Sequence, residues 1–64
     1  MQTIKNMRER LEITQTELAK RLGVTQGAVS QWENGTTNPG IELLPKLAEI
    51  LNCSVDELLG IEKS

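Results

Sequence analysis

Apolar residues in this chain recur at helical spacing, and no segment alternates with period two, so the pattern predicts helices and no strands. Ile4, Met7, Arg8 and Leu11 fall at i, i+3, i+4 and i+7. They predict a first helix over about residues 3–12 with one inward stripe and Thr3 as its N-cap. Leu18, Ala19 and Leu22 make the next stripe. Ahead of them, Thr14-Gln15-Thr16-Glu17 has the form of a capping box, in which hydroxyl and carboxylate each satisfy an orphan amide. Gly23 then stands where a helix leaves in a left-handed conformation. Thr25 predicts the N-cap of a third helix that ends near Asn34, with Gly35 as its stop. Thr36 to Gly40 reads as a loop.

Pro45 shapes the fourth helix. Inside a helix it would lose a hydrogen bond and clash with the preceding turn, whereas at the first helical position it does neither. The expectation is a tight turn over 41–44 and a regular helix over 45–51, with Leu44, Leu47, Ala48 and Leu51 buried. Ser54-Val55-Asp56-Glu57 is a second capping box, opening a short fifth helix that ends near Gly60. With no repeat, low-complexity tract or linker, residues 1–64 read as one all-α domain, a compact five-helix bundle.

Residues 15–34 carry the functional signal. Two short helices joined by a glycine turn form a helix-turn-helix, the unit that presents a rigid second helix to the DNA major groove. Ala19 is small where the helices would cross, Gly23 permits the turn and Val24 plugs it. Leu18, Leu22, Val29 and Trp32 supply the shared interior, and Trp32, the only aromatic, reads as core rather than a ring for stacking on a base.

Composition narrows the chemistry. There is no histidine and a single cysteine, Cys53, so an internal disulfide and a His/Cys zinc site are excluded. Cys53 reads as a small buried hydrophobe, and its lack of a pairing partner fits a reducing compartment. The start, MQTIKNMRER, is not a signal peptide, and no apolar run approaches the roughly 20 residues of a membrane span. The expectation is a soluble, cytoplasmic protein. The absence of histidine, of tyrosine and of an activated nucleophile, in so short a chain, argues against an enzyme. No cofactor and no metal are expected.

The net charge of −2 is unevenly spread. Residues 1–32 hold Lys5, Arg8, Arg10, Lys20 and Arg21 against Glu9, Glu12 and Glu17, a net +2. Residues 33–64 hold Lys46 and Lys63 against Glu33, Glu42, Glu49, Asp56, Glu57 and Glu62, a net −4. Only the N-terminal half suits phosphates, although on charge alone an ordinary solvated surface is the better explanation of so small an asymmetry.

Gln26, Gly27, Ser30, Gln31 and Asn34 share one face of the third helix, opposite Val29 and Trp32. A face that only meets water favours Lys and Glu; this one is amide-rich and uncharged. Glutamine bonds adenine bidentately through N6 and N7, and Gly27 with Ala28 keeps the helix start slim. Short donors near helix ends suit phosphates: Gln15, Thr25, Asn34, Thr36 and Thr37. For the threonines, capping and turn formation are equally good explanations. Arg8 and Glu33 face inward from two helices and predict an interhelical ion pair. Val55, Leu58, Leu59 and Ile61 make an apolar C-terminus, part of which must close the core and the rest of which offers a self-association surface.

These residues resemble the Cro and phage-repressor (lambda-repressor-like) helix-turn-helix domain. The resemblance rests on Gln15-Thr16-Glu17-Leu18-Ala19, Leu22-Gly23-Val24-Thr25, Val29-Ser30-Gln31-Trp32-Glu33-Asn34-Gly35, Asn38-Pro39, Leu47-Ala48 and Val55-Asp56-Glu57-Leu58-Leu59, and covers about residues 4–60. It implies a five-helix bundle that binds operator DNA as a two-fold dimer. Gln26, Gly27 and Gln31 stand where members of that family touch bases; Gln15, Thr25, Asn34 and Thr36 stand where they touch phosphates. Arg8 and Glu33 match a structural ion pair of some members. The chain departs from the pattern at Glu12, where glycine is common, at Thr36-Thr37, where Lys and Arg are common, and at Pro45.

The expected function is therefore sequence-specific binding of double-stranded DNA by a bacterial or phage transcriptional repressor. The third helix would enter the major groove, and a homodimer would form through helix 5 and the C-terminal apolar residues. The alternative is an antitoxin-like protein-interaction module on the same scaffold, with weak or partner-dependent DNA binding.

Overall fold

The computed structural model describes residues 1–60. It contains helices α1 (Gln2–Arg10), α2 (Gln15–Leu22), α3 (Gln26–Asn34), α4 (Leu44–Ile50) and α5 (Val55–Leu58), with a 3₁₀ turn, Ile41–Leu43, leading into α4. No strand occurs among the described residues. Three of the predicted N-caps close as the sequence implies: Thr14, Thr25 and Ser54 accept from the backbone N–H groups of Glu17, Ala28 and Glu57.

Four local expectations need correction. Thr3 does not cap α1: the Ile4 N–H bonds the Met1 carbonyl at 3.1 Å, so the helix already begins at Gln2. Leu11 is not part of the inward stripe, because α1 ends at Arg10 and leaves Leu11 exposed at the helix exit. Only half of the first capping box forms, since the Glu17 carboxylate takes Arg21 Nε at 2.9 Å one turn later. The box at Ser54 forms in full, with Glu57 Oε1 accepting from the Ser54 N–H at 2.9 Å. Pro45 is the second residue of α4 rather than the first, a position that still lies in the first turn and needs no N–H.

Four helices leave in the same way. After α1, α2, α3 and α4 a residue with positive φ (Glu12, Gly23, Gly35, Asn52) reverses the chain. The next N–H then reaches back five residues: Ile13 to Arg8, Val24 to Ala19, Thr36 to Gln31 and Cys53 to Ala48, at 2.9–3.1 Å. This closure satisfies carbonyls that the helix end would leave orphaned. It also makes each connection short, so consecutive helices must pack on one another.

The core is built from Ile4 of α1, Leu18, Ala19 and Leu22 of α2, Val29 and Trp32 of α3, Leu47 and Ala48 of α4, then Leu51 and Leu58. Helix α3 packs on α2 and α1, α4 packs on α2 and α5, and α5 closes on α1. Leu58 is fully buried and so cannot serve self-association, whereas Leu59 is 44% exposed. Ile61 lies outside the described residues. Leu44 is only half-buried, and so is Cys53, whose thiol pKa is pushed up by burial and then by Glu57.

Candidate nucleic-acid interface

The α2–turn–α3 unit is fastened from within. Gly23, at φ 78°, is the left-handed residue of the turn, and α3 starts at the Thr25 cap with Thr25 Oγ1 accepting from the Ala28 N–H at 3.2 Å. Val29, Trp32 and Glu33 anchor the inner side of α3. Its other side stays open: Gln26, Gly27, Gln31 and Asn34 are exposed and Ser30 is half-buried. Thr25, Thr36 and Thr37 are exposed at the two ends of the helix, and Gln15 is half-buried at the start of α2. A Cβ built on Gly27 would meet nothing closer than Thr25 Oγ1 at 4.0 Å, and its φ is unremarkable for any residue. The fold itself therefore has no need of glycine at 27.

A chain of hydrogen bonds runs from the core to this face. Arg8 Nε donates to Glu33 Oε2 at 2.7 Å and Arg8 Nη2 to Glu33 Oε1 at 3.1 Å, while Arg8 Nη1 donates to the Ile13 carbonyl at 2.8 Å. The Arg8 and Glu33 side chains are only 11% and 3% exposed. Glu33 Oε1 also accepts from Gln15 Nε2 at 2.9 Å, and Gln15 Oε1 accepts from Gln26 Nε2 at 2.6 Å. No buried side-chain nitrogen or oxygen among the described residues lacks a partner.

Burial works to raise the Glu33 pKa, but the Arg8 hydrogen bonds, the Gln15 amide and the nearby positive charges outweigh it and hold the carboxyl below its usual range. Its bond to Glu33 raises the Arg8 pKa, against the opposing effect of burial. The pair is thus charged on both sides at neutral pH. Near the far end of α3, the Met1 ammonium donates to the Trp32 carbonyl.

Sequence reasoning joined Arg8 to Glu33 but left both glutamines unconnected. The missed signal was the repeated Thr-Gln at 14–15 and 25–26: each threonine caps a helix, and each glutamine is the first helical residue. Packing then brings the two helix starts together, which no local pattern specifies.

A helix-turn-helix family model matches residues 4–58, and the chain belongs to that family. It is homologous to phage repressors and other helix-turn-helix transcriptional regulators. It is 45% identical over 56 residues to the repressor protein C2 of Salmonella phage P22, covering 88% of this chain and 26% of that protein. It is 32% identical over 60 residues to the antitoxin PezA of Streptococcus pneumoniae, covering 94% of this chain and 38% of that protein. It thus spans well under half the length of both. A crystal structure of the P22 c2 repressor protein bound to a synthetic operator superposes with a TM-score of 0.88 at 41% identity, over 95% of this chain and 92% of that one. No helix among the described residues is long and apolar enough to cross a membrane, and no cluster of three or more His, Cys, Asp or Glu stands ready for a metal.

Proposed function

We propose that this chain binds double-stranded DNA sequence-specifically as a repressor, with α3 in the major groove. The observation that carries the reading is the open amide face of α3, held outward by a fold that superposes on an operator-bound repressor. Gln26, Gly27, Ser30 and Gln31 meet base edges; Gln15, Thr25, Asn34 and Thr36 meet phosphates. Gly27 supports it independently, because its missing side chain makes room for a partner rather than for the chain itself.

The binding unit is a homodimer in the cytoplasm, each protomer reading one half-site about 34 Å from the other. It works by binding, with no catalytic step. Selection from random duplexes followed by sequencing tests all of this together. The reading expects a two-fold symmetric site with half-sites one helical turn apart, and enrichment of no sequence overturns it. Likeness to an antitoxin and the acidic C-terminal half favour a second reading, an interaction module whose DNA binding needs a partner protein. Enrichment that appears only when a partner is added would select it.

A further inference from the structure

We infer that Arg8 and Glu33 determine base preference at the position read by Gln26, by fixing which end of each glutamine amide points where. This rests on the reading that Gln26 meets a base.

The direction of the hydrogen bonds follows from chemistry. An ionised carboxylate only accepts, so Gln15 must turn its nitrogen toward Glu33. Its oxygen then faces Gln26, which must donate in turn. Gln26 is left with one free N–H and its whole carbonyl. Adenine offers an acceptor at N7 and a donor at N6, which match this pair; guanine offers two acceptors, N7 and O6, one of which would oppose the carbonyl.

To suit guanine, Gln26 would have to turn its amide over, setting oxygen against the oxygen of Gln15. Turning Gln15 as well would set oxygen against the Glu33 carboxylate. The Arg8 guanidinium holds that carboxylate ionised and in place with two hydrogen bonds, so each flip is blocked from the core outward. Two side chains remote from the open face of α3 thus act on the base as positioning residues.

The variant Glu33→Gln nearly keeps the shape but removes the charge and one of the two acceptor oxygens; whichever end of the new amide carries the nitrogen opposes an Arg8 N–H, so Gln15 loses the fixed acceptor that set its direction. The experiment measures binding of wild type and E33Q to the selected duplex, and to the same duplex with adenine replaced by guanine opposite Gln26. Wild type should prefer adenine by at least about fivefold. In E33Q the ratio should fall to within about twofold while preferences at other positions persist. A merely structural role would weaken all duplexes alike and leave the ratio intact, which would overturn the inference, as would a wild type indifferent between the two bases.

Should circular dichroism show E33Q unfolded, Gln15→Met decides. It keeps the ion pair and cuts the relay, so it should lose the adenine preference, and its retention of that preference overturns the inference. Failure of wild type to select any sequence would instead defeat the DNA-binding reading itself.

Discussion

Glu12, at φ 59°, is the one residue at a helix exit whose side chain fits its backbone badly, since a Cβ in the left-handed region sits too close to the following carbonyl. Glu12→Gly should stabilise the domain by about 0.5–1 kcal/mol, the relief being partly offset by glycine's larger entropy loss; urea unfolding checks it. Gly27 presents the opposite case. Gly27→Ala should stabilise the fold by about 0.5–1 kcal/mol through helix propensity and yet weaken binding to the selected duplex. A variant that gains stability and keeps full affinity would show that no partner comes close there. Glu33 is sensitive in another sense. Removing one member of a buried pair strands the other, so Glu33→Ala should cost about 3 kcal/mol, whereas the apolar double replacement Arg8→Met with Glu33→Leu should recover most of it. Because the folded Glu33 pKa lies below its unfolded value, the pair's contribution is complete above the ordinary carboxylate range and is lost as pH falls through the folded value. Urea midpoints should fall on acidification, and less steeply in the double replacement.

The helices are short, from 4 to 9 residues, too short to persist alone, so their ends matter as much as their faces. Cap removal separates the roles of the ends. Ser54→Ala should cost about 1 kcal/mol and leave DNA binding per folded molecule unchanged, since none of the residues proposed to meet DNA lies on α5. Thr25→Ala should cost about as much and also reduce affinity, because the same hydroxyl starts the helix that meets DNA. Thermal unfolding with a titration of the selected duplex distinguishes the two. The caps at Thr14, Thr25 and Ser54 and the stops at Gly23 and Gly35 were legible in the sequence because each depends only on residues within five positions of it, whereas the left-handed exits at Glu12 and Asn52 carry no glycine to announce them. Misreadings clustered where a second partner competed: Glu17 chose Arg21 over its capping role, and α1 absorbed Thr3 because the chain continued helical to Gln2.

The whole molecule is as compact as a chain of this length should be, with a radius of gyration of 10.7 Å. Its stability is nonetheless thin, on the order of 3–10 kcal/mol for 64 residues. Leu47 is fully buried on α4, the helix that packs on both α2 and α5, so Leu47→Ala should remove about 3 kcal/mol and unfold a large share of the population at 37 °C, read by circular dichroism. Charge also acts at this scale. With mostly neutral donors at the phosphate positions, affinity should fall with salt along a slope shallower than about −5 in logarithmic terms. Among the described residues, the exposed large apolar side chains are Leu11, Leu59 and Ile41, the last 81% exposed on the 3₁₀ turn.

The sequence by itself determined the five helices, the stops at Gly23 and Gly35, most of each inward stripe and the amide-rich side of α3, because helical period and capping are properties of neighbours along the chain. It also pointed to the Arg8–Glu33 pair, since two inward charges of opposite sign on different helices satisfy each other when buried. Only the tertiary structure decided that Gln15 and Gln26, eleven residues apart, share a hydrogen bond, and that Leu58 belongs to the core while Leu59 does not. Those outcomes depend on how whole helices are set against one another. Periodicity gives which side of a helix is apolar, but the packing of rigid bodies fixes which atoms from different helices come within 3 Å.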